Sequence, residues 1–378
     1  VLALVNATLQ PSCAAALEAE RGWELRRVPS VRSAVGALPA ELRDEVDALV
    51  VEAEPVTAEL LAQLPSLSVV ACLRSDPVNV DVAAATARGV PVLHTPGRNA
   101  EAVADFTLGL CLSMLRNIAV SHHGIVSGEL SAPDGRASTD RAAGDVIWRP
   151  ADPAAPVPYV VYKGRQLSSI VLGLIGYGAV GIAVARRFAG LVREILVADP
   201  ACRAAEVDAP GRRLVALDEL LAAADVVSIH ARSSACIVGA AELKAMRPGS
   251  YLVNTARATV LDYEALADAL ESGHLRAAAL DVFPEEPLPA SSRLIGLRGL
   301  TLTPHLAGAT EEVGGRQSEI FLEAMRALYA SPPAWTGIPV RNPEVRERWL
   351  AARDRSDPAR RAAGGGTRRG ASTAEVAR

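Results

Sequence analysis

The feature that most limits the folds open to this 378-residue chain is an alternation that runs nearly from end to end. Short β-rich apolar runs take turns with helical Ala/Leu/Glu patterns. Candidate strands are VLALV at 1–5, DALVV at 47–51, SVVACL at 68–73 and PVLH at 91–94. Later ones are SIVLGLIG at 169–176, REILVAD at 193–199, DVVSIH at 225–230, SYLVNT at 250–255 and RAAALDV at 276–282. Helical patterns lie between them, for example at 58–63, 179–188, 217–223 and 263–271. Strands joined through helices pair in parallel and are covered on both faces, so they read as continuous apolar runs. The expected class is α/β, with doubly wound parallel sheets. The length allows two domains, each with its own core. Only 4% of residues are aromatic, so those cores are built from Ala, Leu and Val.

Charge excludes some functions. The net charge of −4 is too close to neutral for a nucleic-acid or polyanion binder. The five cysteines, Cys13, Cys72, Cys111, Cys202 and Cys236, are single and lie in or near apolar stretches, and no C-x-x-C pair occurs. They read as buried reduced thiols rather than a disulfide framework or a metal site. The opening VLALVNATLQPS lacks the basic start of a signal peptide. Residues 166–185 carry no charge, but Gly173, Gly176, Gly178 and Gly181 divide them into strand, turn and helix rather than a membrane span. A cytoplasmic protein is expected.

A long helix is expected to begin near Asn99, capped by that side chain, with Glu101 favouring the positive end of its dipole. Its apolar pattern runs through Phe106, Leu110 and Leu115 towards Val120, too wide for an exposed helix and suited to burial between two domains. Two segments break the alternation. Residues 129–166 hold five prolines among polar residues and read as an irregular excursion. Residues 353–378 hold seven Arg and almost no large aliphatic side chain, too little to offset ordering entropy, so a disordered tail is expected from 346 onward.

The first chemical signal is Gly176-Tyr177-Gly178-Ala179-Val180-Gly181. It follows an apolar strand and opens an Ala-rich helix. The glycines allow a tight turn, close approach of backbone to a pyrophosphate, and close packing of helix on strand. Amides at the helix start then face the phosphates. The next strand ends in Asp199, where a carboxylate holds the adenosine ribose hydroxyls and repels a 2′-phosphate. The pattern predicts dinucleotide binding and favours NAD over NADP, although Arg203 follows closely.

The segments ADVVSIHAR, MRPGSYLVNTAR, LDYEALADALESGHLRAAALDVFPEEPLP and LTPHLAGAT follow one another within 224–308. In this order they resemble the signature blocks of the D-isomer-specific 2-hydroxyacid dehydrogenases. Upstream, NVDVAAATARGVPVLHTPGRNAEAVADFTLGL is similar to that family's approach to its interdomain helix. The resemblance spans roughly 40–330. It implies a Rossmann nucleotide domain at 101–306, with 129–166 as an irregular insertion in it. That domain is inserted into a flavodoxin-like substrate domain made of 1–100 and 307–345. It also implies a homodimer.

Reducing a 2-oxo acid requires a cation for the carboxylate, polarisation of the ketone and a proton donor for the forming alkoxide. By resemblance, Arg257 in NTAR supplies the first two through its planar fork. His305 in TPHLAG is the acid/base, a side-chain type whose ordinary pKa of about 6.5 suits proton transfer near neutrality. Glu286, directly before the proline of DVFPEEP, is the carboxylate that orients this histidine and favours its imidazolium form. Asp281 lies by the nicotinamide, as do Thr255 and Ala256; Ala179 and Val180 meet the pyrophosphate through backbone, and His230 lines the nucleotide cleft. His94, His122, His123 and His274 read as structural.

Two departures from the family stand out. Arg74-Ser75-Asp76 replaces the paired glycines that usually precede Pro-Val-Asn in the substrate loop, which puts Ser75 and a negative Asp76 where an anion binds, so that either the Asp76 side chain points away or the preferred substrate differs from a simple 2-oxo acid. Ala258 replaces the glycine after the arginine. The leading reading is an NAD-dependent D-2-hydroxyacid dehydrogenase. A nucleotide-sensing interaction protein, like the related C-terminal-binding-protein corepressors, is the alternative from another class. Oxidation of phosphite or another small anion is a third. Formate enzymes of the family carry Gln where Glu286 stands, which argues against formate.

Overall fold

The structure, a computed structural model, describes residues 2–130, 141–142, 145–146 and 157–356. It divides into two compact units, one of Val1–Arg98 with the segment that begins at Thr310, the other of Asn99–Ala309.

The first unit holds β1 (Leu2–Asn6), β2 (Glu24–Arg27), β3 (Val46–Val51), β4 (Val69–Cys72) and β5 (Val92–His94). They form one parallel sheet in the order β2-β1-β3-β4-β5, a flavodoxin-like order. The helix Glu311–Leu328 returns to this sheet and buries Phe321, Met325 and Leu328 with Leu93 and Ala71. Full burial of a side chain such as Phe321 contributes about 1.5–3 kcal/mol. Asn342 fastens the return to the edge strand: it accepts from the Val92 amide at 2.8 Å and donates to the Val90 carbonyl at 3.0 Å.

The expected tail starts too early. Arg346–Ser356 is a helix. Trp349 explains it: the indole is buried in the core of the first unit, with its N–H donating to the Ser68 carbonyl at 2.8 Å. Trp349 lies ahead of the aliphatic-poor stretch 353–378 and supplies the apolar area that orders this helix. Residues 357–378 lie outside the described residues, as does most of the excursion at 129–166. Within that stretch the structure has β6 (Arg141–Ala142) antiparallel to β7 (Asp145–Val146), and a short helix, Pro158–Val161.

The second unit contains β8 (Val171–Ile175), β9 (Glu194–Ala198), β10 (Arg212–Leu214), β11 (Val226–Ile229), β12 (Ser250–Asn254), β13 (Leu275–Leu280) and β14 (Leu300–Leu302). All are parallel, in the order β10-β9-β8-β11-β12-β13-β14. Chain order runs outward in both directions from β8, so the switch point lies between β8 and β11, where open α/β sheets bind ligands. β8, β11 and β12 are buried throughout, with apolar clusters on both sheet faces.

The helix expected from Asn99 is Ala100–Leu115, but Asn99 makes no side-chain cap. Its amide lies against Gly308 instead, so close that a Cβ there would sit 2.6 Å from Nδ2. The helix also stops short of Val120. Asn117 takes a left-handed φ of 54°, and a second helix, Ile118–Val126, leaves at 66°. Ala104, Cys111 and Leu115 pack into the core of the second unit. No single helix among the described residues is long and apolar enough to cross a membrane. Cys13, Cys72 and Cys111 are buried, but Cys202 is half-buried and Cys236 exposed, because they follow the ends of β9 and β11 on connecting loops.

Candidate active site

The glycine turn sits at the switch point. Gly176 follows β8 directly with φ +96°, and a Cβ there would lie 2.5 Å from the amide nitrogen of Ala231 in the segment leaving β11. A Cβ on Gly181 would come within 2.2 Å of the Gly176 carbonyl. Both positions are closed to any side chain. Gly178 is the opposite case, with nothing within 4 Å of a Cβ, which leaves open space over the turn. The helix Ala179–Phe188 begins there with no side-chain cap, and Ala179 is exposed and Val180 half-buried at its start. An open glycine below uncapped helix amides fits a pyrophosphate.

Asp199 follows β9. Its carboxylate accepts from the Tyr177 amide at 2.7 Å and the Ala201 amide at 2.9 Å. It therefore braces the glycine turn, while each oxygen keeps a lone pair for a ribose hydroxyl. Arg203 is engaged with Glu206, whose side chain it meets at 3.0 Å. His230 hydrogen-bonds Ser228 Oγ through Nε2 at 2.8 Å, and its buried Nδ1 has no partner among the described residues. Burial pushes its pKa down to about 3, so the ring is neutral.

Arg257, Glu286 and His305 all belong to the second unit. Arg257 follows β12 at the entry to a short 3-10 helix, Ala258–Val260, and is exposed. Ala258 takes helical backbone there, a conformation open to alanine, so the missing glycine costs nothing. Asn254, fully buried at the end of β12, sets this loop. Its Oδ1 accepts from the Ala256 amide at 3.0 Å, and its Nδ2 donates to the Arg257 carbonyl at 2.9 Å. Thr255 is buried, with its hydroxyl 3.1 Å from that of Thr107.

His305 follows β14 and has a left-handed φ of 56°. The cause of this backbone is Asp281, buried just after β13. Its oxygens accept from the amides of Leu306 and Ala307, both at 2.8 Å, and from Thr303 Oγ1 at 2.6 Å. The turn so held brings His305 Nδ1 to 2.7 Å from Glu286 Oε2. Glu286 Oε1 accepts from the Phe283 amide at 3.0 Å. Burial works against the charge of Glu286. The hydrogen bonds from His305 and Phe283 and the positive charges of His305 and Arg257 outweigh it, holding the carboxyl below its ordinary 4.5. The His305 side chain is 54% exposed, and with Nδ1 engaged by Glu286 the other ring nitrogen, Nε2, is the one that can pass a proton to or from a ligand.

Asp281, expected from the resemblance beside the nicotinamide, also has a task of its own in holding the His305 turn through its carboxylate. The sequence reading missed Asn254, Tyr263 and Thr303. A buried Asn closing an apolar strand was the available signal for the first. Ser75 and Asp76 lie in the first unit, after β4. The Ser75 hydroxyl is buried without a partner among the described residues, and its carbonyl faces His94 Nδ1 at 3.0 Å. His274 meets the Leu243 carbonyl at 3.0 Å, a structural contact.

Residues 157–307 match the NAD binding domain of the D-isomer specific 2-hydroxyacid dehydrogenases. The chain is 31% identical over 332 residues to a glyoxylate reductase of Thermofilum pendens, covering 86% of this chain and 89% of that protein. It is 33% identical over 333 residues to a D-3-phosphoglycerate dehydrogenase of Mycobacterium tuberculosis, covering 86% of this chain and 56% of that one. The crystal structure of an NADPH-dependent glyoxylate/hydroxypyruvate reductase from Sinorhizobium meliloti superposes with a TM-score of 0.70 at 26% identity, over 90% of this chain and 98% of that one. The chain thus belongs to the D-isomer-specific 2-hydroxyacid dehydrogenases and is an oxidoreductase with an NAD(P)-binding domain.

Proposed function

We propose that the protein interconverts a D-2-hydroxy acid and its 2-oxo acid with NAD(H). The observation that carries this reading is the 2.7 Å contact between His305 and Glu286 on a turn braced by Asp281. The nicotinamide supplies the hydride in reduction and takes it in oxidation. Arg257 holds the substrate carboxylate and turns one N–H to the ketone oxygen. In reduction His305 Nε2 delivers the proton to the oxygen of the forming alkoxide, and in oxidation it removes the hydroxyl proton. Glu286 keeps the ring in place and balances its positive charge. Glycolate–glyoxylate and glycerate–hydroxypyruvate are the substrate pairs that the relatives' names favour. In this reading 101–306 binds the nucleotide, 1–100 with 307–345 binds the substrate, and the working unit is a cytoplasmic homodimer.

The test is NADH oxidation with glyoxylate, hydroxypyruvate, pyruvate, 2-oxoisocaproate and phenylpyruvate. Turnover of at least one is expected. Tight NADH binding with no turnover of any, with either nucleotide, would favour the corepressor-like alternative.

Asp199 makes NAD the preferred nucleotide. Asp199→Ala is expected to lower kcat/KM for NADH by about 10–100-fold, the effect of losing a hydrogen bond to a charged group. NADPH use should rise in the same variant. A native enzyme that prefers NADPH would overturn this assignment. Asp76→Gly is expected to lower KM for small 2-oxo acids by about fivefold, as removing one like charge at a partly solvated site does. An unchanged or higher KM removes Asp76 from the substrate loop.

A further inference from the structure

Tyr263 is the first residue of the helix Tyr263–Glu271 and is buried. Its hydroxyl donates to the Val282 carbonyl at 2.5 Å. On the other side its oxygen lies 3.5 Å from Nδ2 of Asn254, the side chain that sets the Arg257 loop. The Val282 carbonyl and the Phe283 amide are the two ends of one peptide group. That group is planar, with its C=O and N–H pointing in opposite directions. Fixing the carbonyl end on Tyr263 therefore aims the N–H end, and it is this N–H that Glu286 Oε1 accepts at 3.0 Å. The other oxygen of Glu286 faces His305. A hydrogen bond at the carbonyl also polarises the peptide and strengthens the donor at its far end.

We propose that the Tyr263 hydroxyl is a positioning group for the acid/base pair. It orients the Val282–Phe283 peptide, which holds the Glu286 carboxylate against His305, and ties that turn to the loop carrying Arg257. This rests on the acid/base reading of His305 and Glu286. The groups that act on Glu286 are His305, Arg257, the Phe283 amide and Tyr263, with the exposed Glu285 next in sequence.

Tyr263→Phe removes the hydroxyl and keeps the ring. The expected result is a kcat about five- to twentyfold lower, with KM for both substrates within about twofold. The acid limb of the rate profile should move up by at least about half a pH unit, because the Phe283 amide, no longer aimed and polarised by Tyr263, stabilises the charged form of Glu286 less well. Phe283 is one of four phenylalanines, so 15N-phenylalanine labelling resolves its amide. That resonance should move upfield in the variant. Native kcat and pH profile with only a lower Tm would overturn the proposal, as would a change confined to KM. If the variant does not fold, 3-fluorotyrosine labelling, which strengthens the donor at nearly the same size, should shift the Phe283 amide downfield; no shift overturns the proposal. An inactive His305→Asn beside a native-like Tyr263→Phe rejects the role of Tyr263 alone. A fully active His305→Asn rejects the acid/base reading and this proposal together.

Discussion

Replacing His305 with asparagine is expected to lower kcat for reduction of a 2-oxo acid by about 10³-fold, within the range of 10²–10⁴ that positioned proton transfer contributes. Asparagine is the informative substitution. His305 has φ 56°, and asparagine tolerates left-handed backbone better than alanine, so the turn held by Asp281 survives. The loss then reports the missing proton rather than a collapsed loop. NADH affinity should stay within about twofold, measured by fluorescence titration. Turnover within tenfold of the native rate would rule out His305 as the proton carrier.

Glu286→Gln belongs to the same experiment. The glutamine keeps an acceptor for the Phe283 amide but not the charge that faces His305. Glu286 has a depressed pKa, so its ionised form persists below pH 4.5 and is lost only as pH falls through its folded value. The folding stability that comes from this shift follows the same sign: present above the unfolded pKa and lost on acidification. The native acid limb assigned to Glu286 is therefore expected below 4.5, and the Gln variant should lack it.

The strands that build the sites were readable because they are buried on both faces. VLGLI in β8 and SYLVN in β12 stand out against any polar background. The strands that escaped notice are edges. β2 is ELRR and β10 is RRL, each paired on one side only, and β14 closes the other side of the second sheet. Charge on β2 and β10 protects those edges against further pairing and erases the apolar signal, whereas β14, LTL, carries no charge and is only three residues long. The end of the helix at Leu115 was hidden for a different reason. Ile118, Val120, Ile125 and Val126 continue the apolar pattern beyond the break and are exposed. Hydrophobicity alone could not mark the left-handed Asn117 between the two helices.

The site divides in the same way. Arg257, Glu286 and His305 were visible as side-chain types in ordered blocks, and so was the glycine turn with Asp199. What holds them was not visible, because it consists of peptide orientations. No residue pattern announces that Asp281 will take two consecutive amides after β14, or that one peptide will link Tyr263 to Glu286. Three of those contacts join residues 19 to 26 positions apart, and all run through backbone atoms, which every residue possesses.

Arg257 carries the second large effect. Arg257→Ala is expected to lower kcat/KM for the 2-oxo acid by about 10²–10⁴-fold, the sum of two hydrogen bonds from a charged donor at about 1.5–3 kcal/mol each. The loss should divide unevenly. Holding the carboxylate favours substrate and transition state alike and appears in KM, whereas the contact to the ketone oxygen strengthens as negative charge develops there and appears in kcat. Lysine separates the two. It restores the charge without the planar fork, so Arg257→Lys should recover part of KM and little of kcat. The loop itself should survive both changes, since Asn254 holds it through the Arg257 carbonyl and the Ala256 amide rather than through the guanidinium. Equal recovery of KM and kcat by lysine would mean that Arg257 acts only as a point charge, leaving the ketone to be polarised by His305 alone.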